Sequence, residues 1–160
     1  MTYQAFPHLR FPRWRLQRSL PQLLGWLLAL VIGLGLLPGG AIAAPTPTTV
    51  HIDLGTSADE LTFVPNHLEF QTGTLYRLVL DNPSPEKHYF TAKDFADAMW
   101  TKKVEAGNVE IKGAIHELEL RPGTQAEWFF VAMKPGEYEL RCVIPGHTEA
   151  GMVGSLTVTE

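Results

Sequence analysis

From residue 50 onward the chain becomes β-like, with apolar side chains at every second position in its clearest runs. Val50, Ile52 and Leu54 alternate with His51 and Asp53, and Leu68 and Phe70 flank Glu69. Further runs cover Leu75 to Leu80, Ile115 to Leu120, Ala126 to Val131, Tyr138 to Val143 and Val153 to Val158. A period of two sends successive side chains to opposite faces, so each run reads as a strand with one buried face. Pro65-Asn66, Gly73, Arg121-Pro-Gly-Thr124 and Lys134-Pro-Gly136 punctuate them with turn residues. About seven short strands separated by turns predict an all-β fold, a Greek-key β-sandwich.

One interval breaks the rhythm. Phe95, Ala98, Met99 and Lys102 fall at i, i+3, i+4 and i+7; Thr91 is placed to cap, and Asp94 and Asp97 come early. The spacing predicts one short inserted helix within Thr91 to Lys103. Met99 and Trp100 on it are expected to be packing residues rather than a cofactor box.

Ahead of the strands the pattern is of another kind. Arg10, Arg13, Arg15 and Arg18 precede an uncharged apolar run from Leu23 to Leu37, followed by Pro-Gly-Gly and Ala41-Ile-Ala43. A basic segment, an apolar segment and an Ala-x-Ala site read as a secretory signal over residues 1–43, with cleavage after Ala43. The alternative is an uncleaved anchor, for which the run is on the short side. A Pro/Thr linker over 44–49 leads to one domain over 50–160. The expected location is across the membrane, in a periplasm or a thylakoid lumen.

Export changes the charge balance. The 160-residue chain carries 13 Lys and Arg against 17 Asp and Glu, a formal net of −4. The leader's only charges are its four arginines, so the remainder keeps nine basic residues against all 17 acidic ones, a net of −8. Such a chain lacks the basic patch of a nucleic-acid binder and favours a basic partner.

The chemistry concentrates near the end, in Cys142-Val-Ile-Pro-Gly-His147-Thr-Glu-Ala-Gly-Met152-Val-Gly154. Cys142 is the only cysteine. In an oxidising compartment it has no partner for an internal disulfide, and metal ligation accounts for it. Thiolate, imidazole and thioether suit copper, and a His₂Cys set with a weak axial Met is the donor set of blue-copper centres. Tyr138, Leu140 and Cys142 share the inward face of one run and Met152 opens the inward set of the next, so the loop between them can gather all three donors. One further histidine is required. His8 lies in the leader; His51, His67 and His116 occupy positions that favour a solvated surface; His88 follows a strand and a proline-rich turn. These residues alone leave the choice open.

The loop Cys-x-Ile-Pro-Gly-His-x-x-x-Gly-Met-x-Gly resembles the ligand loop of the cupredoxins, most nearly the rusticyanin-like members, and its ending Ala150-Gly-Met-Val-Gly154 is similar to that of plastocyanin. The resemblance covers roughly the last hundred residues and is specific at the loop. It implies a cupredoxin-like sandwich and one type 1 copper held by His88, Cys142, His147 and Met152. His88 is assigned on the family's strand, Asn, short loop, His order, which Leu78 to His88 repeats around Asn82. Where many relatives have Asn or Ser after this His to pin the loop, Tyr89 stands here; its backbone N–H is still placed to reach the Cys142 sulfur. The implied function is single-electron transfer by a monomeric, non-enzymatic protein between redox proteins with basic docking surfaces, such as a c-type cytochrome or an oxidoreductase complex. The alternative is copper sequestration, delivery or tolerance. A Cu_A centre needs two cysteines, oxidase and nitrite reductase chemistry needs further histidines, commonly in His-x-His pairs, and a Cys/His hydrolase needs an oriented base in a cleft.

Overall fold

The structure is a computed structural model that describes residues 44–160; the leader of residues 1–43 lies outside them. The elements are β1 (Thr48–Leu54), β2 (Phe63–Val64), β3 (His67–Gln71), β4 (Leu75–Asp81), β5 (His88–Thr91), α1 (Lys93–Asp97), β6 (Met99–Ala106), β7 (Val109–Ile111), β8 (Glu117–Leu120), β9 (Gln125–Ala132), β10 (Gly136–Arg141) and β11 (Val153–Thr159). They form two sheets, one in the order β2-β1-β4-β9-β6-β7 and the other β3-β11-β10-β5-β8. The all-β sandwich with one short helix is thus as the alternation predicts.

The alternation works as expected where both faces differ. In β9 the pattern buries Ala126, Trp128, Phe130 and Ala132 and leaves the residues between them at or near the surface. These side chains meet Ile52, Leu54, Leu78 and Leu80 from one sheet and Leu140, Leu156 and Phe90 from the other in a single core. Burying a large apolar side chain of this kind contributes about 1.5–3 kcal/mol.

Three expectations are corrected. There are eleven strands among the described residues rather than about seven, because β2, β5, β6 and β7 are short or lack clean alternation. The helix covers only Lys93–Asp97, and Ala92 rather than Thr91 is at its N-cap, without a side-chain cap. From Met99 the chain pairs with β9, Met99 opposite Ala132 and Val104 opposite Trp128, with a register shift between Thr101 and Lys103. That ladder overrides a helical period carried by only four positions. Met99 packs, whereas Trp100 is 57% exposed and is no packing residue.

The short helix is held by Phe95, which is fully buried. Its ring lies edge-on to Trp128 and Phe130 at 5.7 and 5.4 Å between centroids, and meets Tyr138 at 5.7 Å. A second feature positions the site: β5 lies beside β10 with one registered pair, Arg141 opposite Thr91, while β5 pairs four residues with β8.

Candidate metal centre

Cys142 is the first residue beyond β10, continuing the inward face of Leu140, and both are fully buried. Its N–H donates to the Met152 carbonyl at 3.1 Å, which closes the loop of residues 142–152 at its base. The loop braces itself: the His147 N–H donates to the Ile144 carbonyl at 3.0 Å, the Met152 N–H to the His147 carbonyl at 2.9 Å, and the Thr148 hydroxyl to the Cys142 carbonyl at 2.7 Å. A loop bonded in this way presents its side chains in one arrangement before any metal arrives.

His88 reaches the same place from the other direction, as the first residue of β5. The loop before it is pinned by Asn82, which is 2% exposed. The Asn82 amide donates to the carbonyls of Glu86 and Leu120, each at 2.8 Å, and its oxygen accepts the Ser84 N–H at 2.9 Å. The Glu86 N–H then donates to the Ser84 hydroxyl at 3.1 Å. This clasp, supplied from upstream, takes the place of a pin at the residue after the His. Sequence reasoning used Asn82 only to locate His88; the Asn-Pro-Ser-Pro run, with an Asx-type turn in it, was the available signal.

His88, Cys142 and His147 each offer one donor atom, and the three lie within 4.8 Å of one another. The Cys142 sulfur and His147 Nδ1 are 3.6 Å apart, and the two imidazole centroids are 5.3 Å apart with planes at 56°. Among the described residues no other group of three His, Cys, Asp or Glu side chains converges in this way. His88 and Cys142 are fully buried and His147 is 8% exposed. Met152, also fully buried, sits at the loop's closing turn with its backbone bonded to both His147 and Cys142. The Tyr89 N–H donates to the Cys142 sulfur at 3.4 Å, as the sequence anticipates.

The donor set fits a copper ion. Neither ring nitrogen of His88 has a hydrogen-bond partner among the described residues. Buried polar atoms left unpaired are rare and call for an explanation such as an ion. Burial, seconded by the charge that His147 would carry, pushes the His88 imidazole below its ordinary value, so the ring is kept neutral with a free lone pair. The remaining histidines of the strand region contrast with it. His51, His67 and His116 are all exposed, His67 bonds Ser155 at 2.7 Å, and His116 bonds Asp97 at 2.7 Å.

Known proteins resemble this chain over the same region. The sequence model of the family described as copper binding proteins, plastocyanin/azurin family, matches residues 50–159. The copper-resistant cuproprotein CopI of Rubrivivax gelatinosus is 30% identical over 120 residues, which span 72% of this chain and 69% of that protein. Auracyanin B superposes with a TM-score of 0.52 at 26% identity, covering 76% of this chain and 96% of its own. The dithionite-reduced auracyanin of the photosynthetic bacterium Roseiflexus castenholzii gives 0.52 at 21% identity over 72% and 100% of the two chains, which speaks for the fold alone.

Proposed function

The chain belongs to the plastocyanin/azurin family of copper-binding proteins, the cupredoxins, and on that premise we propose that it is an exported blue copper protein that shuttles single electrons. The observation that carries this reading is the buried His88, Cys142 and His147 group, all three side chains converging with at most 8% exposure. Bound copper supplies a one-electron couple between Cu(II) and Cu(I). The chain's own residues do the rest. Cys142 would supply a thiolate, His88 and His147 neutral imidazoles, and Met152 a weak thioether to hold the copper. The Tyr89 N–H withdraws charge from the Cys142 sulfur, which tunes the potential. A dense core behind the group and a braced loop in front of it resist rearrangement when the charge changes.

Donors buried to this degree favour a carrier over an enzyme. His147 is the one imidazole of the group that reaches the surface, among exposed Pro145, Gly146 and Ala150, with Val143 39% and Val153 40% exposed nearby. Electrons cross through that apolar rim. Glu149 beside it, and the net charge of −8 without the leader, select a cationic redox protein such as a c-type cytochrome or an oxidoreductase complex. A secretory leader over residues 1–43 would carry the protein to a periplasm or thylakoid lumen.

A second reading, copper sequestration or delivery, is favoured by the 30% identical relative that is described as copper-resistant. One experiment separates the two. The copper-loaded, reduced protein is mixed in stopped flow with a Cu(I) chelator and, separately, with a cationic c-type cytochrome. A shuttle keeps its copper and reduces the cytochrome at a rate that falls as salt rises. Prompt loss of Cu(I) with slow, salt-insensitive cytochrome reduction would overturn the shuttle and leave the carrier. Absence of an intense visible band in the loaded protein, or its survival in Cys142→Ser, would overturn both.

A further inference from the structure

His88 is seated against a glycine. Gly55, the residue that follows β1, has φ +78°, and a Cβ placed on it would lie 2.7 Å from His88 Nε2, 3.1 Å from His88 Cδ2 and 2.8 Å from the Ser84 Cβ. Real Cβ atoms essentially never come so close to another heavy atom. Gly55 opens a loop closed by its N–H donating to the Thr62 carbonyl at 2.8 Å. The Ser84 hydroxyl, donating to Asp59 Oδ1 at 3.3 Å, ties that loop to the one that carries His88. The imidazole is therefore gripped from behind by backbone while Asn82 fixes its own loop from the side.

We propose that Gly55 is a positioning residue of the copper site. By having no side chain it lets the 55–62 loop press on the Cδ2–Nε2 edge of His88 and hold the ring in its ligating orientation. In a five-membered ring the atom opposite that edge is Nδ1, so pressure on the edge presents Nδ1 to the side where Cys142 and His147 stand. The seat does for His88 what a hydrogen-bond partner does for most metal-bound imidazoles, since neither nitrogen of this ring has one among the described residues. The inference rests on the copper reading above and adds a residue to it that offers no donor atom.

The structure supplies its own control. Gly73 has φ +76°, and a Cβ on it would meet nothing within 4 Å. Gly73→Ala and Gly55→Ala thus share the strain of an alanine in the left-handed region, and only Gly55→Ala collides with His88. Wild type and both variants are titrated with Cu(II) and followed by visible absorption and electron paramagnetic resonance. Gly73→Ala is expected to keep the wild-type affinity and spectrum. Gly55→Ala is expected to bind Cu(II) about ten- to a hundredfold more weakly, with an altered charge-transfer band and altered copper hyperfine splitting. Equal spectra and affinities in the two variants would overturn the inference and leave the copper reading intact; no band in wild type would fail the copper reading itself.

Should Gly55→Ala not fold, the copper-free cycle with His88→Ala decides. Removing the ring relieves the 2.7 Å approach and leaves the 2.8 Å approach to the Ser84 Cβ, so Gly55→Ala/His88→Ala is expected to regain part of the lost stability and to be more stable than the sum of the two single losses allows. A double variant as unstable as the sum of its parts would overturn the inference.

Discussion

Replacing Asn82 with alanine removes the clasp of the His88 loop, and its cost follows from the bonds lost. The side chain makes three hydrogen bonds and is 2% exposed. Glu86 is exposed, so its carbonyl can turn to water. Ser84 is 2% exposed, so its N–H would be left buried and unpaired, while the Leu120 carbonyl, in the β5–β8 ladder opposite His88, would lose one of its donors. At about 1–3 kcal/mol for the orphaned N–H and about 1 kcal/mol for the bond lost at Leu120, Asn82→Ala should lose about 3 kcal/mol of stability. That corresponds to a fall of roughly 10 °C in Tm for a domain of this size. Asn82→Asp should be worse: it keeps the acceptor for Ser84, loses both donors, and sets a carboxylate against two carbonyls. The assay is chemical and thermal unfolding of the copper-free protein, with copper affinity measured alongside, since the released loop carries His88. A loss below about 1 kcal/mol, or an Asn82→Asp variant milder than Asn82→Ala, would refute the assignment of Asn82 as the clasp.

Other outcomes are equally definite. Met152→Gln should keep the visible band and lower the reduction potential, because an amide oxygen is harder than a thioether and favours Cu(II); voltammetry checks this, and an unchanged potential would make Met152 a core residue only. Copper-free protein should lose stability as pH falls below the ordinary histidine value of 6.5, since burial lowers the value of His88 in the fold and the unfolded chain takes the proton first. Unfolding curves of His88→Gln should lack that component. Phe95→Ala, which empties a fully buried site between Trp128, Phe130 and Tyr138, should cost about 3–5 kcal/mol by denaturant titration.

What the sequence made legible depends on how local the cause is. Alternation in β1, β9 and β11 reports a difference between faces that each strand carries by itself, and the sequence shows those elements directly. The loop from Cys142 to Met152 was legible because its donor atoms lie within eleven residues of one another and its turns are written in Pro145, Gly146 and Gly151. The stretch from Met99 to Lys103 reads as helix by itself because its conformation is decided by β9, whose pairing edge is absent from any local window. Trp100 follows the same pairing: on a strand it turns to the surface beside Val131 of β9. Choosing His88 among the histidines needed either the family resemblance or the fold, since what sets it apart is burial without a partner, a property of the surroundings. Gly55 was invisible for the same reason, being separated from His88 by more than thirty residues and acting through what it lacks.

The single registered pair between β5 and β10 gives the metal a mechanical part. The two strands meet along a seam whose other closure is the bond from the Tyr89 N–H to the Cys142 sulfur, between residues 53 apart. Bringing chain ends together over that length costs about 3.5 kcal/mol in entropy. An ion gripping His88 on one side and Cys142 and His147 on the other would rivet the seam, much as a disulfide would in a chain that has only one cysteine. Emptying the site would then act less like vacating a pocket than like drawing a stitch. The Tyr89 amide, whose acceptor is the sulfur across the seam, would become the first of the buried strands to exchange with water, while the β4–β9 ladder in the other sheet stayed closed.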